Sequence, residues 1–473
     1  MQNELKLVIT KEYKTNLLII GGGVAGCAAA IAAGRKGIKV LLCEKEGCLG
    51  GSATMGLVSP LDAIATRDGI SFGGLVEEIS NELKEWNIKY AKADGNPIIN
   101  PHLFQLLLLK KIDDLQIDLW FHVQLCSCDV TDNHIERAYF LSKGGIIAVE
   151  ADLFIDATGD GDLLAYAGDT YTVGSESNIS AQLAETGFNK MHFENHQLKS
   201  SLYKQSGAMQ PASAMFTMGG VDEEKGKKYC NKLLTFNDLC ISKDDFEKLS
   251  YAGTPGFEQN GDFIPMPQGR ILFYPGTRNG EVVVNMSRVL QVDITDTKSF
   301  SEAEKISQLQ VLYLIHFLKQ FVPGFEKSYF LDCSLSLGIR ESRRLKGKYV
   351  LTGTDVIHCN TTEHDVAYGS YMVDIHDPFG KKKAIGGELE GTCYGIPYGC
   401  LVSANISNLL VCGRCISVDH IAHASTRIQG TCIQTGQAAG TAAALCLLHK
   451  TLPSELDIVR LRNILAEDNM FQL

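Results

Sequence analysis

A glycine-rich segment near the start of the chain has the spacing of a dinucleotide-binding turn. Residues 21–26 read GGGVAG and match GxGxxG, and an acidic residue, Glu44, follows eighteen residues later. In this motif the first glycine permits a tight turn, the second admits a pyrophosphate, the third allows close helix packing, and the acid accepts hydrogen bonds from a ribose. The pattern therefore predicts a dinucleotide held by Gly21, Gly23, Val24, Ala25, Gly26 and Glu44.

Arginine and histidine side chains that could bind an anion or move a proton occur in three short motifs. These are RESRR at residues 340–344, HD at 376–377 and HIAHASTR at 420–427. Arginine recognises anions with a planar fork of donors, and histidine transfers protons near neutral pH. From these motifs we predict that the catalytic residues are His376, His420, His423, Arg343 and Arg427.

Each of the three motifs also has a structural interpretation. The arginines could form a solvated helix start or pair with Glu341, and His376 could be a turn residue rather than a base oriented by Asp377. His420 and His423 have a spacing that suits a metal on a helix, but no third ligand stands at a recognisable distance. No metal site is therefore predicted.

Alternating strand and helix signals indicate how the glycine motif is positioned. Residues 16–20 predict a buried parallel strand, residues 24–35 a helix of small residues and residues 38–43 a second strand, which together make a βαβ unit. Two more apolar runs, 150–161 and 408–414, contain the turn sequences ATG and GR. The segment from Gln434 to Gly440 is predicted to open a helix that continues to Leu447, which would bring a second helix N-terminus to the cofactor.

Composition and charge narrow the class of protein. The chain has 473 residues, of which 45% are hydrophobic and 21% charged, as in ordinary globular proteins, and its length favours two domains. The net charge of -11 argues against a nucleic-acid partner. Residues 1–14 lack the apolar core of a targeting signal and glycines interrupt the uncharged stretch 17–33, so we predict a cytoplasmic protein that does not enter the membrane. The fifteen cysteines are scattered and odd in number, which does not indicate a disulfide framework.

The motifs together resemble the FAD-dependent oxidoreductases of the glutathione reductase and fumarate reductase superfamily. The resemblance covers nearly the whole chain. It rests on segments in the same order as in that family: IIGGGVAGCAAAIAAGRKG, CEKEGCLGGSATMG, FIDATGDGDLLAYAG, QPASAMFTMGGVD, GIRESRRLKGKY, YMVDIHD and LLVCGRCISVDHIAHASTRIQGTCIQTGQAAG.

The resemblance implies an α/β fold in which a Rossmann-type FAD-binding domain (GR2-like) carries an inserted α+β substrate or cap domain. FAD is expected to be held non-covalently, because residues 50–56 offer no histidine for attachment. To the glycine motif and Glu44 the resemblance adds these cofactor-binding residues: Lys45, Gly50, Gly51, Ser52, Thr54, Ala157, Thr158, Gly159, Asp160, Gly413, Arg414, Ile433 and Gln434.

The predicted domains are a discontinuous FAD-binding domain, residues 1–171 and 396–473, and a substrate or cap domain, residues 172–395. In the latter we predict strands at 270–274 and 281–285 and an amphipathic helix at 301–321. No second GxGxxG follows Glu44, so a nicotinamide domain is not expected. Cys43 and Cys48 imitate the spacing of a redox-active pair, but Cys43 falls inside a predicted strand, and a dithiol mechanism is not expected either.

The predicted reaction is exchange of a hydride between flavin N5 and a small polar organic substrate. Organic anions are included in this class of substrate. Arginine would bind the substrate, and a histidine would transfer the proton. Two other interpretations stay open: a flavoprotein subunit that passes electrons to a partner protein, and flavin-assisted group transfer or RNA modification. A homodimer also stays open.

Overall fold

The computed structural model describes nine stretches of the chain. They are residues 8–87, 96–176, 207–229, 239–241, 250–251, 254–259, 262–265, 271–378 and 385–471.

The strands of these stretches follow in chain order. They are β1 (Ile9–Ile20), β2 (Val40–Cys43), β3 (Asp118–Trp120), β4 (Gln124–Thr131), β5 (His134–Ser142), β6 (Gly145–Asp156), β7 (Tyr171–Val173), β8 (Phe216–Gly219), β9 (Leu239–Ile241), β10 (Ser250–Tyr251), β11 (Thr254–Gln259), β12 (Asp262–Pro265), β13 (Ile271–Pro275), β14 (Val282–Asn285), β15 (Tyr329–Cys333), β16 (Arg343–Leu345), β17 (Asp365–Gly369), β18 (Val373–Ile375), β19 (Ile385–Gly387), β20 (Tyr394–Pro397) and β21 (Leu409–Val411).

The α-helices of the same stretches are α1 (Val24–Arg35), α2 (Gly74–Asn87), α3 (Pro101–Asp114), α4 (Asp162–Tyr166), α5 (Glu223–Tyr229), α6 (Thr297–Phe321), α7 (Gly353–Ile357), α8 (His420–Thr426), α9 (Gln429–His449) and α10 (Ile458–Glu467). None of the helices described here is both long and apolar enough to cross a membrane.

A seven-stranded sheet positions the glycine motif. Its order is β3-β2-β1-β6-β5-β4, and β21 also pairs with β6. The pairs β1–β2, β2–β3, β1–β6 and β21–β6 are parallel, whereas β4–β5 and β5–β6 are antiparallel. Since β1, β2, β6 and β21 run in one direction, their carboxyl ends place residues 21–26, Glu44, residues 157–160 and residues 413–414 at one edge. This arrangement confirms the predicted α/β fold of Rossmann type.

Helix α1 packs against α9 without large side chains between the two backbones. A Cβ atom on Gly436 would lie 2.2 Å from the carbonyl oxygen of Ala25, and one on Gly440 would lie 2.1 Å from that of Ala29. The alanines of α1 and α9 that fill this contact are buried. Because both helices consist largely of small residues, they approach closely. Their contact therefore determines the position of the first turn of α1.

A second, five-stranded sheet lies within the region predicted to form the substrate domain. Its order is β15-β8-β14-β13-β9, and helix α6 covers it through a core that includes Phe216, Val284, Leu314 and Phe317. The predicted strands at 270–274 and 281–285 correspond to β13 and β14, with residue 270 outside the described residues. Helix α6 begins at Thr297 rather than at residue 301, because Asp296 caps it by accepting from the amide of Ser299.

The predicted start of α9 is wrong, and of the two structural interpretations of the arginines the helix start does not apply. The helix expected to open at Gln434 begins at Gln429, so Gln434 lies more than a turn inside α9. Its early glycine, Gly430, meets a packing requirement, since a Cβ there would lie 2.3 Å from the carbonyl oxygen of Ala63. Arg343 and Arg344 do not begin a helix but form β16, which pairs with β7. The βαβ unit is closer to prediction: α1 has the expected bounds, β1 begins earlier, at Ile9, and β2 begins at Val40.

Candidate active site

The turn between β1 and α1 has the geometry that an anionic ligand requires. Gly21 has φ +104°, a conformation that favours glycine, and its amide donates to the carbonyl of Cys43 at 2.8 Å. A Cβ on Gly26 would lie 1.8 Å from the carbonyl oxygen of Gly21, whereas one on Gly23 would meet no atom within 4 Å in the described part of the chain. No side chain of the described residues caps α1 at Gly23. The first amides of the helix therefore face open space, as a pyrophosphate site needs.

Glu44 stabilises this turn by accepting hydrogen bonds from backbone amides. Its carboxylate accepts from the amide of Gly22 at 2.6 Å and from the amide of Glu46 at 2.8 Å. Burial raises the pKa of Glu44, while these two amides and Lys45 act in the opposite direction. The carboxylate thus fixes the glycine turn, and each oxygen keeps acceptor capacity for a ribose hydroxyl.

The segment after β2 brings a second pair of glycines to the first. The amide of Gly50 donates to the carbonyl of Gly22 at 2.8 Å, and Gly50 bridges Gly23. Gly51 begins a short 3₁₀ helix that contains Ser52. Thr54 closes the loop by donating to the carbonyl of Leu49 at 2.7 Å. The predicted residues 50–54 therefore lie beside the N-terminus of α1.

Residues 157–160 and 413–414 complete this edge of the sheet. The buried carboxylate of Asp156 accepts from the amide and hydroxyl of Thr158 at 3.0 and 2.7 Å. Arg414 donates to the carbonyl of Gly159 at 2.9 Å and forms an ion pair with Asp160. In this structure the Arg414 guanidinium thus holds the loop in place. The glycine cradle, the uncapped helix and the acid on the second strand together fit FAD.

Ile433 and Gln434, two of the predicted cofactor-binding residues, lie within α9. Both are buried inside α9. The Gln434 amide accepts from the backbone amide of Tyr368 at 3.0 Å and donates to its carbonyl at 2.9 Å. This side chain therefore joins α9 to β17, and the helix N-terminus lies at Gln429, next to the predicted residue Arg427.

Three arginines and one histidine converge around Asp374. His376 Nε2 lies 3.0 Å from Asp374 Oδ2, and Arg427 Nη2 lies 3.6 Å from the same oxygen. Arg288 Nη1 donates to His376 Nδ1 at 2.6 Å. Burial, together with the charges of nearby Arg288 and Arg427, lowers the pKa of Arg340. We call these five residues the arginine cluster.

The arginine cluster is charged and partly open. The side chains of Arg427, His376 and Asp374 are 12%, 15% and 24% exposed. Burial, with the charges of Arg340 and Arg288, lowers the pKa of His376 to about 3, although Asp374 opposes the shift. Burial alone would raise the pKa of Asp374, but His376 and the arginines hold it well below its usual range. The cluster thus contains three cations, one anion and a neutral imidazole.

Both ring nitrogens of His376 are occupied by protein groups. Since a guanidinium only donates, Nδ1 accepts from Arg288 and Nε2 donates to Asp374. The predicted orienting carboxylate, Asp377, is replaced in this role by Asp374, because alternate residues of an extended strand share a face. In this arrangement His376 orients Arg288 rather than receiving a proton from a substrate.

His420 belongs to a second group of charges, in which Glu341 and Arg344 are also fully buried. Its Nδ1 lies 2.7 Å from Glu341, which also pairs with Arg344. Arg344 reaches Glu176 at 2.7 Å and the carbonyl of Val418 at 3.0 Å. Burial would raise the pKa of Glu341, but His420 and Arg344 outweigh it, so the net pKa is well below normal. We call Glu176, Glu341, Arg344 and His420 the buried network.

His423 and Arg343 have contrasting surroundings. His423 is completely buried, and neither ring nitrogen has a hydrogen-bond partner among the described residues. Arg343 instead pairs with Asp162 at 2.9 Å and lies over the ring of Tyr171. Burial raises the pKa of Asp162 to about 6, with Asp160 adding to the shift and Arg343 opposing it. The structure therefore groups His423 with the other α8 residues and separates Arg343 from them.

Three members of the arginine cluster were not among the predicted catalytic residues. Arg340 stands in the RESRR motif, and Asp374 precedes His376 by two residues, which is the spacing of side chains on one face of a strand. Arg288 follows β14 as a single cation, and its distance of 88 residues from His376 leaves no local signal.

Comparisons with known proteins agree with this reading of the cofactor edge. A model of the family described as FAD dependent oxidoreductase matches residues 16–465. Dihydrolipoamide dehydrogenase of Chaetomium thermophilum is 58% identical over 41 residues, which make up 9% of this chain and 8% of that protein. The match thus spans less than a tenth of the curated relative.

Solved structures with similar backbones share little sequence with the chain. A geranylgeranyl bacteriochlorophyll reductase-like protein of Thermoplasma acidophilum is 11% identical, with 97% of this chain and 84% of that chain covered and a TM-score of 0.44. The p-nitrophenol 4-monooxygenase of Pseudomonas putida is 9% identical, with 97% and 87% covered and a TM-score of 0.44.

Proposed function

The chain belongs to the FAD dependent oxidoreductase family and FAD is its cofactor, and on this premise we propose that it exchanges a hydride with a small organic anion held by the arginine cluster. Bound FAD supplies the hydride chemistry, at N5 of its flavin ring. The residues of this chain bind the anion, orient it and move a proton.

The excess of positive charge in the arginine cluster carries the proposal. Arg340 and Arg427 act on the carboxylate of Asp374, Arg288 donates to His376 beside it, and burial together with the neighbouring arginines lowers the pKa of Arg340. A buried cation without a counter-charge is costly. A substrate carboxylate would offset this charge with charge-assisted hydrogen bonds, which are roughly twice as strong as neutral ones.

Residues close in sequence to two members of the arginine cluster contact the cofactor edge or the loop that leads to it. The amide of Val58 donates to the carbonyl of Ser52 at 3.0 Å, and Gln429 donates to the carbonyl of Val58 at 2.7 Å. Gln429 is two residues from Arg427. Arg340, on the other side, follows Ile339, whose carbonyl accepts from Arg414. The loops that hold FAD thus also position two of the three arginines.

Anaerobic titration of the flavin spectrum with matched anionic and neutral compounds tests the proposal. We expect organic acids either to bleach the flavin absorbance or to change its spectrum by binding to the protein. Their uncharged amides should do neither. In Arg427→Met the substrate KM should rise about 10- to 100-fold, the effect of one hydrogen bond to a charged group. Arg137→Met is the control, because Arg137 pairs with Asp129 at the sheet surface.

The flavin content of each variant separates binding of substrate from binding of cofactor. Arg427→Met should retain FAD, since the described contacts of Arg427 are to Asp374 and not to residues 21–26 or 50–54. Equal reduction of the flavin by acids and amides, or an unchanged KM in Arg427→Met, would show that the arginine cluster does not bind the substrate.

A further inference from the structure

We propose that the substrate anion is a hydroxy acid whose hydroxyl group lies between His423 and Gln210, with His423 as the base that takes its proton. The inference rests on the proposed function and names its substrate class. It follows from a group of buried polar atoms that lack protein partners.

The unpartnered atoms belong to Gln210, which contacts Glu341, and to two residues of the segment 420–427. Among the described residues, no hydrogen-bond partner is found for Nδ1 and Nε2 of His423, Nε2 of Gln210 or Nε of Arg427. His423 is 0% and Gln210 3% exposed. A buried polar group without a partner costs about 1–3 kcal/mol, so folded proteins rarely keep several together without a ligand or water to satisfy them.

Their positions follow from the fold. His420, His423 and Arg427 are spaced i, i+3 and i+7, so they lie along one face of α8 and its C-cap. The backbone amide of Gln210 donates to the carboxylate of Glu341 at 3.2 Å. The side-chain oxygen of Gln210 accepts from the backbone amide of His376 at 3.1 Å. Gln210 thus connects the buried network with the arginine cluster, and His423 lies on α8 between His420 of the first group and Arg427 of the second.

The available atoms match a hydroxyl group. Burial, more than any neighbouring charge, lowers the pKa of His423 well below normal, so its imidazole is neutral and offers one acceptor and one donor nitrogen. A hydroxyl can donate to the acceptor nitrogen of His423 and accept from Nε2 of Gln210. Arg427, one turn along from His423, would hold the carboxylate of the same small molecule.

The buried network gives His423 a means of holding the proton. The ionised carboxylate of Glu341 favours the protonated form of His423, and this effect opposes burial. In the oxidation, the C–H bond of the alcohol carbon breaks and its electron pair leaves as hydride to oxidised FAD. The O–H proton goes to His423, and the carbon–oxygen single bond becomes the double bond of an oxo acid. Glu341 is then a positioning residue.

Binding to the oxidised holoenzyme provides a test that does not depend on turnover. Calorimetry should give a dissociation constant for oxaloacetate about 5- to 10-fold lower than for succinate, and likewise for pyruvate against propionate, as one added hydrogen bond predicts. His423→Leu and Gln210→Leu should each remove this ratio while the affinity for succinate or propionate stays within about twofold.

Thermal stability separates a functional from a structural histidine. His423→Leu removes unpartnered buried atoms, so its unfolding temperature should be unchanged or higher. His134→Leu is the opposite control: His134 contacts Ser407 and Asn408, each at 3.1 Å, so this variant should lose stability and keep the binding ratio. His423→Gln, which retains a polar group, should restore part of the ratio.

The outcomes separate this inference from the proposed function. Equal, Arg427-dependent affinity for oxo acids and unsubstituted acids would overturn the hydroxy-acid assignment and leave the anion site in place. A binding ratio that survives in His423→Leu would also overturn it. Failure of every acid to bind would remove both proposals.

Discussion

Replacing Gly436 by alanine tests how closely α1 must approach α9. The new Cβ would lie 2.2 Å from the carbonyl oxygen of Ala25 and 2.9 Å from its Cα. Both neighbours are backbone atoms, so no rotamer change can relieve the contact. Restoring an ordinary separation requires the two helices to move apart by about 1 Å at this point.

The movement should affect FAD more than the global fold. Ala25 is the second residue of α1, whose amides face the pyrophosphate site. A hydrogen bond near 2.9 Å that lengthens by about 1 Å is no longer one, so Gly436→Ala should raise the dissociation constant of FAD at least about 10-fold. Overpacking costs about 1–3 kcal/mol, and the helix propensity of alanine returns about 1 kcal/mol of this.

Fluorescence titration of the variants with FAD, and thermal unfolding of each, measure the two effects. Gly34→Ala, on α1 itself, is the matched control, because its Cβ would first meet the flexible side chain of Ile117, at 2.9 Å. It should bind FAD like the parent and be as stable or slightly more stable. If Gly436→Ala binds FAD within twofold of the parent, the close contact does not position the N-terminus of α1.

Two further predictions concern the buried charges. Glu341→Gln should lower the free energy of unfolding by about 3–5 kcal/mol, because it leaves Arg344 without the carboxylate that is buried beside it. Glu388, which pairs with Arg67, has a 58% exposed side chain, so Glu388→Gln should cost at most about 1 kcal/mol. Denaturant unfolding measures both values. The pKa of His376 is about 3 when folded and about 6.5 when unfolded, so only the unfolded chain binds this proton between those values, and stability should fall as the pH is lowered. The loss between pH 6.5 and 5 should be about 1–2 kcal/mol and should shrink in His376→Asn; an unchanged slope in that variant would refute the assignment.

The cofactor edge could be predicted from the sequence because its signals are local. Gly21 adopts a positive φ, Gly26 must clear the carbonyl oxygen of Gly21 five residues earlier, and Glu44 directly follows the next strand. Such requirements appear as fixed spacings. The start of α9 could not be found in the same way. Gly430 is required by close packing against the carbonyl oxygen of Ala63, which is remote in sequence. A glycine that resembles a turn signal therefore lies inside a helix.

The substrate side depends on contacts between distant segments. Arg343 and Arg344 are adjacent on β16, so their side chains point to opposite faces. One meets Asp162 and the other meets Glu176. Within the RESRR motif Arg344 also pairs with Glu341, but Asp162 and Glu176 lie more than 160 residues away. The sequence identified the arginines as a group, and only the fold separates Arg343 and Arg344 from Arg340 of the arginine cluster.

Arg414 braces the loop at residues 159–160 and connects it to the segment that contains Arg340. Its guanidinium lies against Gly159, where a Cβ would approach within 3.2 Å of Nη2, and it pairs with Asp160. It also donates to the carbonyl of Ile339, the residue before Arg340. Displacement of the 159–160 loop would therefore shift Arg340 as well. Because that loop lies at the cofactor edge, the order of the arginine cluster should depend on whether FAD is bound.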